Sequence, residues 1–180
     1  MPSFKSVRAL RAAAPLLGLV ALSACGPRIP IFAPVCPTTG ILRDAADLTR
    51  FRGTGTDLTD TVIDGRITGL AGKCMLDDRT HLHTVISVGM DLTRGPANTT
   101  RTDDVTYFVA VAQGDTILDK RTFVLPIGFA RNVEQIRLTG DPVNIVLPVD
   151  AKTSGASYRI LVGFQLTPQE LAFNRSRGVR

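Results

Sequence analysis

The chain has 180 residues, with 21 Lys plus Arg against 16 Asp plus Glu and a net charge of +5. Three of the basic residues, Lys5, Arg8 and Arg11, precede position 25 with no acid among them, so 21 less 3 leaves 18 against 16, about +2, for the remainder. A basic stripe of the kind nucleic-acid binding needs is missing from such a balance, and that partner class is set aside.

In chain order, Lys5, Arg8 and Arg11 form a charged leader to the uncharged run Ala12 to Leu22. That is the n-region and h-region of a signal peptide. The run is about half of the roughly 20 residues a spanning helix requires, and Pro15 and Gly18 interrupt it, so it reads as a targeting segment. Leu22-Ser23-Ala24-Cys25 follows and resembles the lipobox of bacterial lipoproteins. Small residues admit the chain to the signal peptidase, and the thiol carries the diacylglycerol. The resemblance implies removal of residues 1–24 and attachment of lipid to Cys25, so that the acylated Cys25 makes a membrane its partner. Each buried acyl methylene contributes about 0.8 kcal/mol, so two or three chains anchor durably. Gly26, where the usual inner-membrane signal is aspartate, implies the periplasmic face of the outer membrane. The competing reading is an ordinary secretory signal with a chance cysteine.

Cys36 and Cys74 remain, and in an oxidising compartment two thiols are expected to form one disulfide. A redox or metal-binding pair is the alternative, with no C-x-x-C spacing behind it. From position 25 the chain holds 180 less 24, or 156 residues, the size of one domain. Residues 25–40, with Pro27, Pro30, Pro34 and Pro37, read as an extended tether, and residues 41–180 as the domain. Asp44 to Phe51 reads as a helical turn and Arg52 to Asp60 as a Gly/Thr/Asp loop.

Beyond it the hydrophobic period is two. Leu82, Thr84, Ile86, Val88, Met90 and Leu92 alternate with His83, Val85, Ser87, Gly89 and Asp91. Tyr158, Ile160, Val162, Phe164 and Leu166 repeat the pattern. Asp104 to Ala112 and Thr116 to Leu125 flank Gly114-Asp115, a tight hairpin signal. With Thr61 to Ala71, a short piece around Cys74, Val133 to Leu138 and Val143 to Val149, about seven or eight strands are expected. The fold class is all-β: an antiparallel β-sandwich, immunoglobulin- or fibronectin-III-like. Thr167-Pro168-Gln169-Glu170 is a capping box with proline at the first helical position, and Leu166 and Leu171 are placed as its staple. One short C-terminal helix is expected there, folded onto the sandwich edge.

The segments Leu48-Thr49-Arg50-Phe51, Asp57-Leu58-Thr59-Asp60, Tyr107-Phe108-Val109-Ala110 and Tyr158 to Leu171, with Asn174-Arg175, resemble a family of uncharacterised proteobacterial lipoproteins. The resemblance implies an envelope lipoprotein and no particular substrate.

Candidate chemistry is sparse. His81 and His83 share one face of an extended strand, with Asp77 and Asp78 upstream, and two imidazoles at i and i+2 can share a metal. The competing reading makes them surface residues opposite the core. Asp77-Asp78 and Asp103-Asp104 read as turn residues. Gly53-Thr54-Gly55 lacks the helix and lysine of a phosphate loop, and no G-x-S-x-G elbow occurs. Asn98-Thr99-Thr100 matches a glycosylation sequon of little meaning in a bacterial envelope. Arg175, Arg177 and Arg180 read as a solvated basic tail. The expectation is a non-enzymatic envelope module, without cofactor, that binds an envelope protein or cell-wall component through a sheet edge. The alternative is a small-ligand or metal-binding lipoprotein using His81 and His83.

Overall fold

A computed structural model describes residues 34–77 and 80–178. The signal segment, Cys25, Gly26, Asp78 and Arg180 lie outside the described residues. Nine strands are described: β1 (Thr38–Ile41), β2 (Asp47–Phe51), β3 (Thr61–Leu76), β4 (His81–Arg94), β5 (Thr102–Gln113), β6 (Thr116–Gly128), β7 (Gln135–Thr139), β8 (Val143–Pro148) and β9 (Tyr158–Phe164). One helix, α1 (Pro168–Arg177), follows β9. Two sheets result, ordered β1-β9-β5-β6 and β2-β3-β4-β7, with β8 also pairing β4.

The two sheets share one core. Alternation places Leu82, Ile86, Val88, Met90 and Leu92 of β4 inward at 0–1% exposure, facing Tyr158, Ile160, Val162 and Phe164 of β9 at 0–3%. Burying each such side chain contributes about 1.5–3 kcal/mol, so a slip of one residue in register, which would turn every one of them outward, is strongly disfavoured. The β5–β6 hairpin closes through Gly114, whose φ of 57° lies in the left-handed region that glycine adopts without a Cβ clash.

Four expectations change. Thr61 to Ala71 and the piece around Cys74 are one strand, β3, paired with β4 from Ile63↔Arg94 to Leu76↔Leu82. Asp44 to Phe51 is not a helical turn: a 3-10 turn covers only Arg43–Ala45, and Asp47–Phe51 pairs antiparallel with β3. Leu48, wholly buried in the core, makes strand pairing outweigh a weak local helical preference. Residues 38–40, assigned to the tether, belong to β1, so the folded domain begins earlier than residue 41. β1 runs parallel to β9, Thr38↔Arg159 to Ile41↔Val162, so the sandwich is not purely antiparallel.

Cys36 and Cys74 are disulfide-bonded, fastening the segment before β1 to the far end of β3. The capping box is formed as expected: Glu170 N–H donates to Thr167 Oγ1 at 3.2 Å, and Thr167 N–H to Glu170 Oε2 at 2.7 Å. The helix packs on β2, the terminal strand of its sheet. No helix of the described residues is long and apolar enough to cross a membrane.

Candidate functional site

The motif residues converge on a clasp between α1 and β2. Arg50 donates from Nε to Glu170 Oε1 at 3.2 Å and from Nη1 to Asp103 Oδ1 at 2.8 Å. Asn174 Nδ2 donates to the carbonyls of Asp44 and Asp47 at 3.0 and 2.7 Å. Phe51 and Phe173 meet edge to face with centroids 4.9 Å apart. Arg50 Nε with Glu170, Asn174 Nδ2 and the Phe51–Phe173 contact hold α1 against the sheet, while Arg50 Nη1 reaches β5 through Asp103, which gives the clasp a structural task.

Two readings of the sequence are corrected at the same place. Asp103 and Asp104 lie in β5 rather than a turn, and Asp103 accepts from Arg50. Arg175 and Arg177 belong to α1 rather than to a tail: Arg175, its side chain still 63% exposed, pairs with Asp44 at 2.9 Å, and Arg177 donates from Nη1 to Thr49 Oγ1 at 3.3 Å. The change at Arg175 and Arg177 arises because α1 folds back and brings its last turn beside Asp44 and the β2 residue Thr49. Asn98 is buried, its Oδ1 accepting from Arg101 N–H at 2.8 Å and its Nδ2 donating to Thr102 O at 3.2 Å, so the sequon match is a loop staple. Gly53-Thr54-Gly55 leads to a 3-10 turn at Leu58–Asp60, not to a phosphate-cradling helix.

His81 and His83 stand on the outer face of β4, opposite the core-facing Leu82. His83 has Met75 of β3 and Val146 of β8 as cross-strand neighbours, and Thr80 Oγ1 lies 3.0 Å from His81 Nδ1. Asp77 binds back through its backbone N–H to His81 O at 3.0 Å. Among the described residues no three His, Cys, Asp or Glu side chains gather as a metal site.

Among the described residues the sheet that holds β5 ends at β6, a strand of 13 residues with a strand neighbour on one side only. It exposes Ile117 (54%), Leu118 (51%) and Val124 (63%), while Phe123 turns inward and stacks on Tyr107 at 5.2 Å. Burial raises the Tyr107 phenol above its ordinary value, with the Asp141 carboxylate adding to it. In mid-strand, Asp119 and Arg121 pair at 3.3 Å and Lys120 lies 4.3 Å from the Phe108 ring centroid. Such charges, with Pro126, are the usual devices that stop an open edge from pairing indiscriminately. The run was legible as a strand, but its place at the edge was not; the Asp-Lys-Arg triplet was the available signal. Comparisons with family models, curated proteins and solved structures find no match.

Proposed function

We propose that this chain is a lipid-anchored, non-enzymatic binding module of the cell envelope that engages a protein partner along the edge strand β6. The observation that carries the reading is the exposed apolar set Ile117, Leu118 and Val124 on a long strand with no strand beyond it among the described residues. Such an edge offers backbone hydrogen bonds for affinity and alternate side chains for specificity. The flanking charges and Pro126 restrict which partner can pair.

In this reading residues 1–24 are removed, Cys25 carries the lipid, and the protein faces the periplasm from the outer membrane. The oxidised Cys36–Cys74 pair fits a compartment outside the cytosol. The tether is then shorter than residues 25–40, because the chain is already tied to the domain at Cys36 and Thr38. The immunoglobulin or fibronectin-III likeness is one of layering: two sheets packed on a shared core support it. The orders β1-β9-β5-β6 and β2-β3-β4-β7 depart from the ABED and CFG pairing of an immunoglobulin constant domain.

The test is a photo-crosslinking residue placed at Val124 or at His83 in intact cells, in the native protein and in a Cys25→Ser chain. Capture of one recurrent envelope protein from Val124, absent from His83 and reduced in the Cys25→Ser chain, supports the reading. Equal capture from both positions, or none from Val124, overturns it.

A further inference from the structure

The chain has two histidines, His81 and His83, both on β4, and the strand register decides what stands beside them. His83 lies directly across from Met75 of β3 on one side and from Val146 of β8 on the other. Residues opposite one another in a ladder turn to the same face of a sheet, and so do residues two apart along a strand. His81, His83 and Met75 therefore share the outer face, while Leu82 between the histidines points into the core. Met75 is 52% exposed there, whereas Met90, the other described methionine, is wholly buried.

The spacing suits a common ligand. Directly opposite Cβ atoms stand about 4.5–5.5 Å apart and diagonal ones about 7–8 Å, while two steps along a strand cover about 6.6 Å. Side chains rooted at those distances reach one ion above the sheet without any backbone change. Thr80 Oγ1 lies 3.0 Å from His81 Nδ1, and such a contact at one ring nitrogen orients the other, Nε2, as the ligand atom. Among the described residues no histidine, cysteine or carboxylate completes a set of three with the two imidazoles; the thioether of Met75 does.

We propose that His81, His83 and Met75 form a Cu(I) site on the outer face of β3 and β4. Imidazole suits copper, a thioether selects its soft monovalent form, and magnesium, calcium and manganese prefer oxygen donors. Cys36 and Cys74 are joined to each other, so the thioether is the sulfur placed for a metal on this face. Val146, 58% exposed, and Pro148 flank the histidines on the β8 side and bring no hard donor from their side chains. The site is separate from β6 and does not depend on partner binding there.

Anaerobic titration of the full-length protein in detergent with Cu(I), in competition with bicinchoninate, tests the assignment. Ascorbate keeps the copper reduced without opening the disulfide, and prior N-ethylmaleimide treatment removes thiols from the competition. The expected result is one Cu(I) per chain, with sulfur as well as nitrogen scatterers in the X-ray absorption spectrum. Met75→Leu removes the sulfur scatterer and weakens Cu(I) by no less than the roughly 10–100-fold that loss of an outer-shell partner costs, while Cu(II), held by the imidazoles, is unaffected. Replacing both histidines by alanine weakens both ions. The melting temperature of each variant, measured alongside, reports whether it is folded. A native protein that takes no Cu(I) from bicinchoninate overturns the proposal. So does a folded Met75→Leu variant that keeps the native Cu(I) affinity.

Discussion

Arg50 and Glu170, 120 residues apart, are joined by a 3.2 Å hydrogen-bonded ion pair in which the glutamate has a second task. While Oε1 takes the guanidinium, Oε2 caps the first turn of α1 by accepting the Thr167 N–H. A local helix-start signal thereby becomes a tertiary fastener, and the Glu170 side chain, only 7% exposed, could not be left without its partners cheaply.

Glu170→Ala should therefore lower stability by about 2 kcal/mol, combining a lost cap with a broken, partly buried pair. For a domain of this size that corresponds to a fall in melting temperature of about 6 °C. Glu170→Gln, which keeps an oxygen for the cap, should lose less. Thermal unfolding followed by circular dichroism checks this; equal losses for Ala and Gln would place the whole effect in the ion pair.

Reduction of the Cys36–Cys74 bridge releases a constraint between residues 38 apart in sequence. Chain entropy puts its stabilisation at about 4 kcal/mol, so dithiothreitol should lower the urea midpoint well beyond the scatter of replicates. Alkylation should label neither Cys36 nor Cys74 until the reductant is added. Labelling of both in the native protein would contradict the bridge.

Acid should lower the stability of the protein modestly by way of three surface carboxylates. The hydrogen bond from Arg137 holds Asp91 below its ordinary value of 3.8, that from Arg94, with Arg101 assisting, holds Glu134 below 4.5, and the N–H groups of Lys152 and Thr153 hold Asp150 below 3.8. A carboxylate depressed in the folded state stabilises above its unfolded value, and that contribution is lost as pH falls through the folded one. Melting temperature should thus fall below about pH 4.5, starting with Glu134. All three lie at the surface, so added salt should shrink the effect. A melting temperature that instead rises on acidification from pH 4.5 would refute the assignment.

Gly163 lies directly across from Phe108 in the β5–β9 ladder. A Cβ there would sit 2.8 Å from the Ala45 Cβ and 3.0 Å from Phe108 Cζ, so the bare backbone lets the turn after β1 and the ring share the sheet's outer face. Gly163→Val should cost about 1–3 kcal/mol through overpacking, read as a lower urea midpoint at unchanged slope. An unchanged midpoint would mean that Ala45 and Phe108 move aside freely.

The elements legible in the sequence were those whose cause is local. The alternation in Leu82 to Leu92 is a two-residue period, the Gly114-Asp115 turn depends on one dihedral, and the Thr167 to Glu170 box closes within four residues. Asp47–Phe51 was not legible as a strand, because five residues beside β3 owe their conformation to β3 and to a wholly buried Leu48. Asp103, Arg175 and Arg177 were misread for the same reason: their partners Arg50, Asp44 and Thr49 are distant in sequence.

From its sequence alone the chain determined which residues alternate toward a core, where its hairpin turns and where its last helix starts, since each follows from sterics and hydrogen bonding within a few residues. Only the tertiary structure decided that β6 is an edge, that β1 runs parallel to β9 and that α1 is clasped to β2. Those are relations between segments far apart in sequence, selected by which apolar faces can be buried together.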